Sequence, residues 1–177
     1  MACDITLGRI EQCKDSLGGL AAVYFINYQN LEPISYAGGN QSDMIVEVQS
    51  GSQVTAYKYE LKGTSIFEQT VTSSRDNGST FVEQKLTLNL KKLTIQDHKQ
   101  LRLLAYGRPI IVVQDRNNNY FMAGLTKGMD LVTSNITTGA AMGDLSGYSL
   151  EFQGMELKPA NFLFIDNIND ILNIITG

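Results

Sequence analysis

Acid–base, nucleophilic or metal chemistry in this chain would have to run through very few side chains. His98 is the single histidine among 177 residues, and Cys3 and Cys13 are the only thiols. A serine or cysteine nucleophile needs a base beside it, and no serine or cysteine near His98 in sequence suggests such a pair. Zinc requires three or four nitrogen or sulfur ligands, and the chain has one histidine and two cysteines that lie far from it in sequence. Carboxylates recur at Asp115, Asp130, Asp144 and Glu151. Paired carboxylates can run glycoside chemistry, but these are scattered through turn and strand positions where Asp is common anyway. The run TGAAMGDLSG at 138–147 holds three glycines, yet no helix follows to offer amide groups to a phosphate. P-loop, G-x-G-x-x-G and H-E-x-x-H patterns are absent. The sequence therefore predicts no enzyme, no cofactor and no metal site.

Composition narrows the classes further. The length fits one domain, and an apolar content of 43% supports a core. Mean hydropathy lies slightly below zero, and no run of 18 apolar residues is present, which predicts no membrane partner. The opening MACDITLGRIEQCK carries an acid at Asp4 and no apolar central stretch, so no secretory signal is expected. On that reading the Asn-x-Ser/Thr matches at Asn40, Asn77 and Asn135 are chance, and Cys3 and Cys13 are expected to stay reduced. The net charge of −4 argues against a general nucleic-acid binder. The nearest basic cluster, Lys91, Lys92, His98, Lys99 and Arg102, reads as the solvated surroundings of a helix.

The elements that would position any site are mostly strands. Leu20–Tyr28 is short, aromatic and continuously apolar, the pattern of a buried strand. Met44–Val48 and Gln53–Leu61 read as two more. The strongest local signal is a hairpin over 65–91, folded at Asp76-Asn77-Gly78-Ser79, where Asn-Gly favours a type I′ turn. That turn would set Phe67 opposite Leu88 and Val71 opposite Gln84. Val82, Leu86, Leu88 and Leu90 then share one face. A strand of this length would reach about 40 Å, so we expect an arm that protrudes from the body and is covered by another copy. Thr94 with Asp97 resembles a capping box for a helix over 94–106, closed by Gly107 and Pro109. Its stripe would be Ile95, Leu101, Leu104 and Ala105. A second hairpin is expected from PIIVVQ and YFMAGL, and two further strands at Met129–Ile136 and Tyr148–Leu157. Ile165, Ile168, Ile171, Leu172 and Ile175 predict a short amphipathic helix over 164–176, docked on its own body or on a neighbour. Residues 1–177 thus read as one mainly β domain, a sandwich or barrel with one packed interior helix, the hairpin arm and the terminal helix. The expected oligomer contacts are Arg75, Asp76 and Asn77 at the hairpin tip, Phe67 and Phe81 along it, and Ile168 and Leu172 in the terminal helix.

The order KLTLNLKKLT, IQDHKQLRLLAYGR, PIIVVQD, an Asn-rich turn, YFMAGLTKGM and TTGAAMGDLSGYSLEFQGMELKPANFL resembles structural proteins of tailed-bacteriophage virions. It is most similar to those of phages with Bacteroidetes hosts, including the crAss-like group. The opening ACDITLGRIEQCKDSLGGLAAVYF has the same character, and GDLSGYSLEFQGMELKPA is similar to the final strands of tail-tube-type proteins. The resemblance implies a ring-forming, non-catalytic tail-tube or tail-ring subunit located in the virion. Its partners would be other copies of itself, other tail or connector proteins, and DNA passing through the lumen without specific binding. A particle-displayed carbohydrate- or receptor-binding module, or a head-decoration protein, is the alternative. The absence of Trp weakens the sugar-binding version.

Overall fold

A computed structural model describes residues 5, 7–11, 13–29, 31–38, 44–48, 53–164, 166 and 168–176 of the chain. Cys3, Asn40 and Ile165 lie outside the described residues. The fold is mainly β. Its strands are β1 (Leu20–Ile26), β2 (Ile34–Tyr36), β3 (Met44–Val48), β4 (Val54–Glu60), β5 (Ile66–Ser74) and β6 (Ser79–Lys91). Helix α1 (Ile95–Tyr106) follows, then β7 (Ile110–Asp115), β8 (Tyr120–Ala123), β9 (Asp130–Thr137), β10 (Gly147–Glu156) and β11 (Asn161–Leu163). A one-turn helix α2 (Ile168–Ile171) leads directly into β12 (Leu172–Thr176).

Two sheets result. The larger runs β12-β4-β1-β7-β8-β11-β3-β2, and the smaller runs β5-β6-β10-β9. β1 and β7 explain why the sequence gives unbroken apolar runs: both are buried on both faces. Ala22, Tyr24, Ile26, Ile110 and Val112 point into one apolar cluster, and Val23, Phe25, Ile111 and Val113 into another. The first cluster is enclosed by the larger sheet itself. Val48 and Val54 enter it from strands near opposite edges, and α2 touches both β3 and β12, so the sheet curls around its own interior. The second cluster fills the gap to the smaller sheet, with Leu86, Leu88, Tyr148, Leu150 and Phe152.

The hairpin forms where the sequence places it, with a different turn and a smaller projection. β5 and β6 pair from Ile66 opposite Thr87 to Ser74 opposite Ser79, which leaves 75–78 as a four-residue connection. Phe67 faces Leu86 and Val71 faces Val82, a shift of two residues from the expected pairing that keeps every side chain on its expected face. Gly78 takes φ 61°, Asn77 does not adopt positive φ, and the Asn77 N–H donates to Ser74 Oγ. A four-residue loop of this kind meets the strand twist without two left-handed residues. β6 also pairs with β10 from Lys91 opposite Gly147 to Val82 opposite Glu156. The hairpin is therefore a wall of the body, and only the tip over 72–81 extends past β10, by about 10 Å. Burial of Val82, Gln84, Leu86 and Leu88 against the larger sheet is the cause. At the far end of that pairing Gly147 is required: a Cβ there would lie 2.0 Å from the Leu90 carbonyl oxygen.

The 164–176 helix is corrected. Residues 168–171 make the single turn α2, and 172–176 form β12, parallel to β4 with Leu172 opposite Val54 and Ile175 opposite Tyr57. Three isoleucines among 171–175 suit a strand, and β4 offers an edge whose backbone groups need partners. The segment docks in cis. Helix α1 keeps its expected cap, with Thr94 Oγ1 accepting the Asp97 N–H at 3.0 Å and donating to Asp97 Oδ2 at 2.6 Å. The expected stripe packs only in part: Leu101 and Leu104 lean on the core, whereas none of the helix residues is fully buried and Ile95 is 93% exposed.

Gln84 is the polar exception in the inner face of β6. Its Oε1 accepts the Gly124 N–H at 2.9 Å and its Nε2 donates to the Lys158 carbonyl. Gln84→Leu keeps the volume but strands a buried amide, which should lower unfolding stability by about 1–3 kcal/mol in urea titration.

Candidate interaction site

The expected contact residues separate into two groups. Arg75, Asp76 and Asn77 are exposed at the hairpin tip, and Phe81, half-buried, sits beyond the last β6–β10 pair. Phe67 is half-buried and begins an aromatic row on the body: its ring lies 6.4 Å from Phe121, which lies 4.6 Å from Phe162. Ile168 and Leu172 are both buried in the curled sheet's own interior, and their spacing of four suits a helix face and a turn-then-strand equally.

The four carboxylates do not converge. Asp115 Oδ1 accepts the Asn117 and Asn119 N–H groups and so shapes the β7–β8 turn. Asp144 Oδ2 accepts the Ala140 and Ala141 N–H groups in the small-residue loop. These bonds, from Ala141 first and then Ala140, hold its carboxyl below the ordinary carboxylate value. Glu151 pairs with Lys85 at 2.9 Å on the outer face of the smaller sheet, which raises the Lys85 pKa chiefly through that hydrogen bond. Asp130 stands exposed at the start of β9. Among the described residues no group of three His, Cys, Asp or Glu side chains could hold a metal.

Three features are open to a partner. The first is β5, an edge strand exposed on both faces over most of its length, with Val71 60% exposed. The second is the segment before β1, where Ile5, Leu7 and Ile10 are 95%, 87% and 88% exposed. Burial of each such side chain is worth about 1.5–3 kcal/mol. Asn117 fixes where this segment leaves the body: it accepts the Leu17 N–H at 2.7 Å and donates to the Leu17 carbonyl at 2.8 Å. The third is a cleft of about 950 Å³ between α1 and the outer face of β4 and β12. Phe25, Tyr57, Tyr59 and Ile175 form its floor, α1 contributes Leu103 and Leu104, and Tyr28 and Arg108 close one end. Arg108 stacks over Tyr28 at 4.9 Å, and burial, reinforced by Asp97, pushes the Tyr59 hydroxyl pKa up.

One buried hydroxyl holds the roof of this cleft in place. Tyr148 Oη lies 2.5 Å from His98 Nδ1, donates to the Thr94 carbonyl at 3.2 Å and accepts the Thr94 N–H at 3.3 Å. A His98 ring carrying a proton on Nδ1 satisfies all three contacts at once. The lone histidine is thus a helix anchor beside the core. Tyr148→Phe removes the anchor and retains the ring, and should cost about 1–3 kcal/mol with faster amide exchange confined to α1.

Comparison with protein-family models, with curated proteins and with solved structures finds no match to this chain.

Proposed function

We propose that this chain is a structural subunit of a phage virion, a self-assembling tail-tube or tail-ring protein without catalytic activity. The observation that carries the reading is β5. A nine-residue edge strand exposed on both faces offers unpaired main-chain groups and apolar side chains together. Proteins that remain monomeric blunt such an edge with charge, proline, bulges or a covering element. β5 has none of these along most of its length, apart from Glu68. Its neighbour is the tip carrying Arg75, Asp76 and Asn77, so edge and projection lie on one side of the molecule. A ring needs one patch to bind a different patch on the next copy, and β5 with its tip supplies one of the two. Other tail or connector proteins would meet the ring at its ends. The net charge of −4 suits a channel through which DNA moves without sticking. The virion assignment itself rests on the sequence resemblance.

Purified protein should form rings or tubes visible by negative-stain electron microscopy and by light scattering. Val71→Lys places a charge on the open edge and should lower association at least tenfold, with the unfolding midpoint of the subunit unchanged. A monodisperse monomer that binds a glycan would overturn the reading in favour of a displayed binding module.

A further inference from the structure

We infer that a small pocket beside Glu156 and Asn161 binds a primary ammonium group carried on a short alkyl stem. The pocket has a volume of about 210 Å³, and Tyr36, Met122, Leu125 and Pro159 line it together with those two residues. It lies where the curled sheet's interior meets the β8–β9 turn: Met122 belongs to the first cluster, and Tyr36 and Leu125 pack against it. No lining residue is shared with β5 or with the α1 cleft, so the inference stands apart from the self-assembly reading.

Two nearly enclosed polar side chains in this pocket have bonding capacity to spare. Glu156 and Asn161 are each only 7% exposed. Glu156 Oε1 accepts both the Thr126 and the Lys127 N–H at 2.9 Å, while Oε2 has no hydrogen bond among the described residues. The Asn161 side-chain amide has none either. Strand alternation gives its direction: Asn161 shares a face of β11 with Leu163 of the first cluster and stands opposite Met122. Every enclosed side-chain nitrogen and oxygen among the described residues has a partner. The unpartnered atoms of Glu156 and Asn161 therefore reach open space, and the space that both residues line is this pocket. Gln84 also borders it, but both ends of its amide are taken, by the Gly124 N–H and the Lys158 carbonyl.

The carboxylate sets the charge of the occupant. A carboxylate withdrawn from water is costly unless a cation meets it, and no ion pair among the described residues involves Glu156. Its single free oxygen selects the head group. A guanidinium binds best across two carboxylate oxygens, and Glu156 has already committed one. An ammonium presents three donors from one point, which suits Glu156 Oε2 and the Asn161 amide oxygen with one donor left over. A bare metal ion fits less well, because no group of three His, Cys, Asp or Glu side chains converges among the described residues. The volume also exceeds what one ion or one water fills. Met122, Leu125 and Pro159 supply the apolar lining for an alkyl stem.

Butylammonium chloride, titrated into isotopically labelled protein and followed by amide NMR, tests the site. It should saturably shift the Asn161 side-chain amide and the Thr126 and Lys127 main-chain amides. Butanol, which has the stem alone, and calcium chloride should leave these signals in place. Glu156→Gln keeps an oxygen for the Thr126 and Lys127 N–H groups and removes the charge. It should weaken butylammonium binding at least about tenfold, with the rest of the spectrum unchanged. Asn161→Ala should weaken it by about two- to tenfold. The same variants separate two sources of the ammonium. Association between copies that falls with Glu156→Gln assigns the pocket to a lysine of another copy, and unchanged association, or a chain that stays monomeric, assigns it to a free alkylamine. No saturable shift with butylammonium, a shift that survives Glu156→Gln, or saturation by calcium or butanol instead would overturn the inference.

Discussion

The structure depends on burying β1 and β7 on both faces. An antiparallel strand ordinarily sends alternate residues to a core and to water, but these two send alternate residues to two different cores. Each needs its own cover. The larger sheet covers the first by curling, with α2 and β12 completing the enclosure. The smaller sheet covers the second. The long β6 and β10 strands follow from this requirement, since they must lie across β1, β7 and β8 and extend far enough to seal Val23, Phe25, Ile111 and Val113. What remains uncovered follows as well. The smaller sheet does not reach over β4 and β12, and α1 stands there without sealing the space beneath it.

Polar groups inside this arrangement are placed where the backbone leaves donors without partners. Gln84 serves the Gly124 N–H, and Glu156, buried at the end of β10, accepts the Thr126 and Lys127 N–H groups through one carboxylate oxygen. Both therefore stabilise the β8–β9 turn. Tyr24, hydrogen-bonded to Gln114 at 2.9 Å, has its hydroxyl pKa raised chiefly by burial and then by Tyr120. The partners of these residues are main-chain amides and one neighbouring amide side chain.

The sequence was legible where one period dominated. In β6 the alternation of Val82, Leu86 and Leu88 with Glu83, Lys85 and Thr87 placed every face correctly, and the pairing error of two residues preserved that parity. The runs LAAVYFI and PIIVV announced burial, although not that the two faces meet separate cores. Local caps were also readable, because Thr94 and Asp97 act within one turn. Illegible parts depend on distant partners. Ile168, Ile171, Leu172 and Ile175 fit a helix by spacing, and only the free edge of β4 decides for a strand. Short β2 and β11 carry too few residues to show a period. The protruding arm was misjudged because its length was visible but its partner β10, some sixty residues later, was not. Among contact residues, the tip was found from its turn chemistry. The cleft had no local signal, being formed where α1 stands off β4 and β12.

The attachment of β12 to β4 has a consequence for how the chain reaches this state. Gln53 Nε2 donates to the Asn169 carbonyl across 116 residues of sequence, whereas β5–β6, β7–β8 and β9–β10 are pairings between neighbours. Contacts of such separation are slow to form because loop-closure entropy precedes their reward. The inter-sheet half can thus be in place while the curled sheet still gapes, with the slot for Ile168, Ile171 and Leu172 vacant. At high chain concentration, the α2–β12 segment of another copy would compete for that slot on equal chemical terms. Swapped pairs are accordingly the trap that this topology carries when it folds in crowded company.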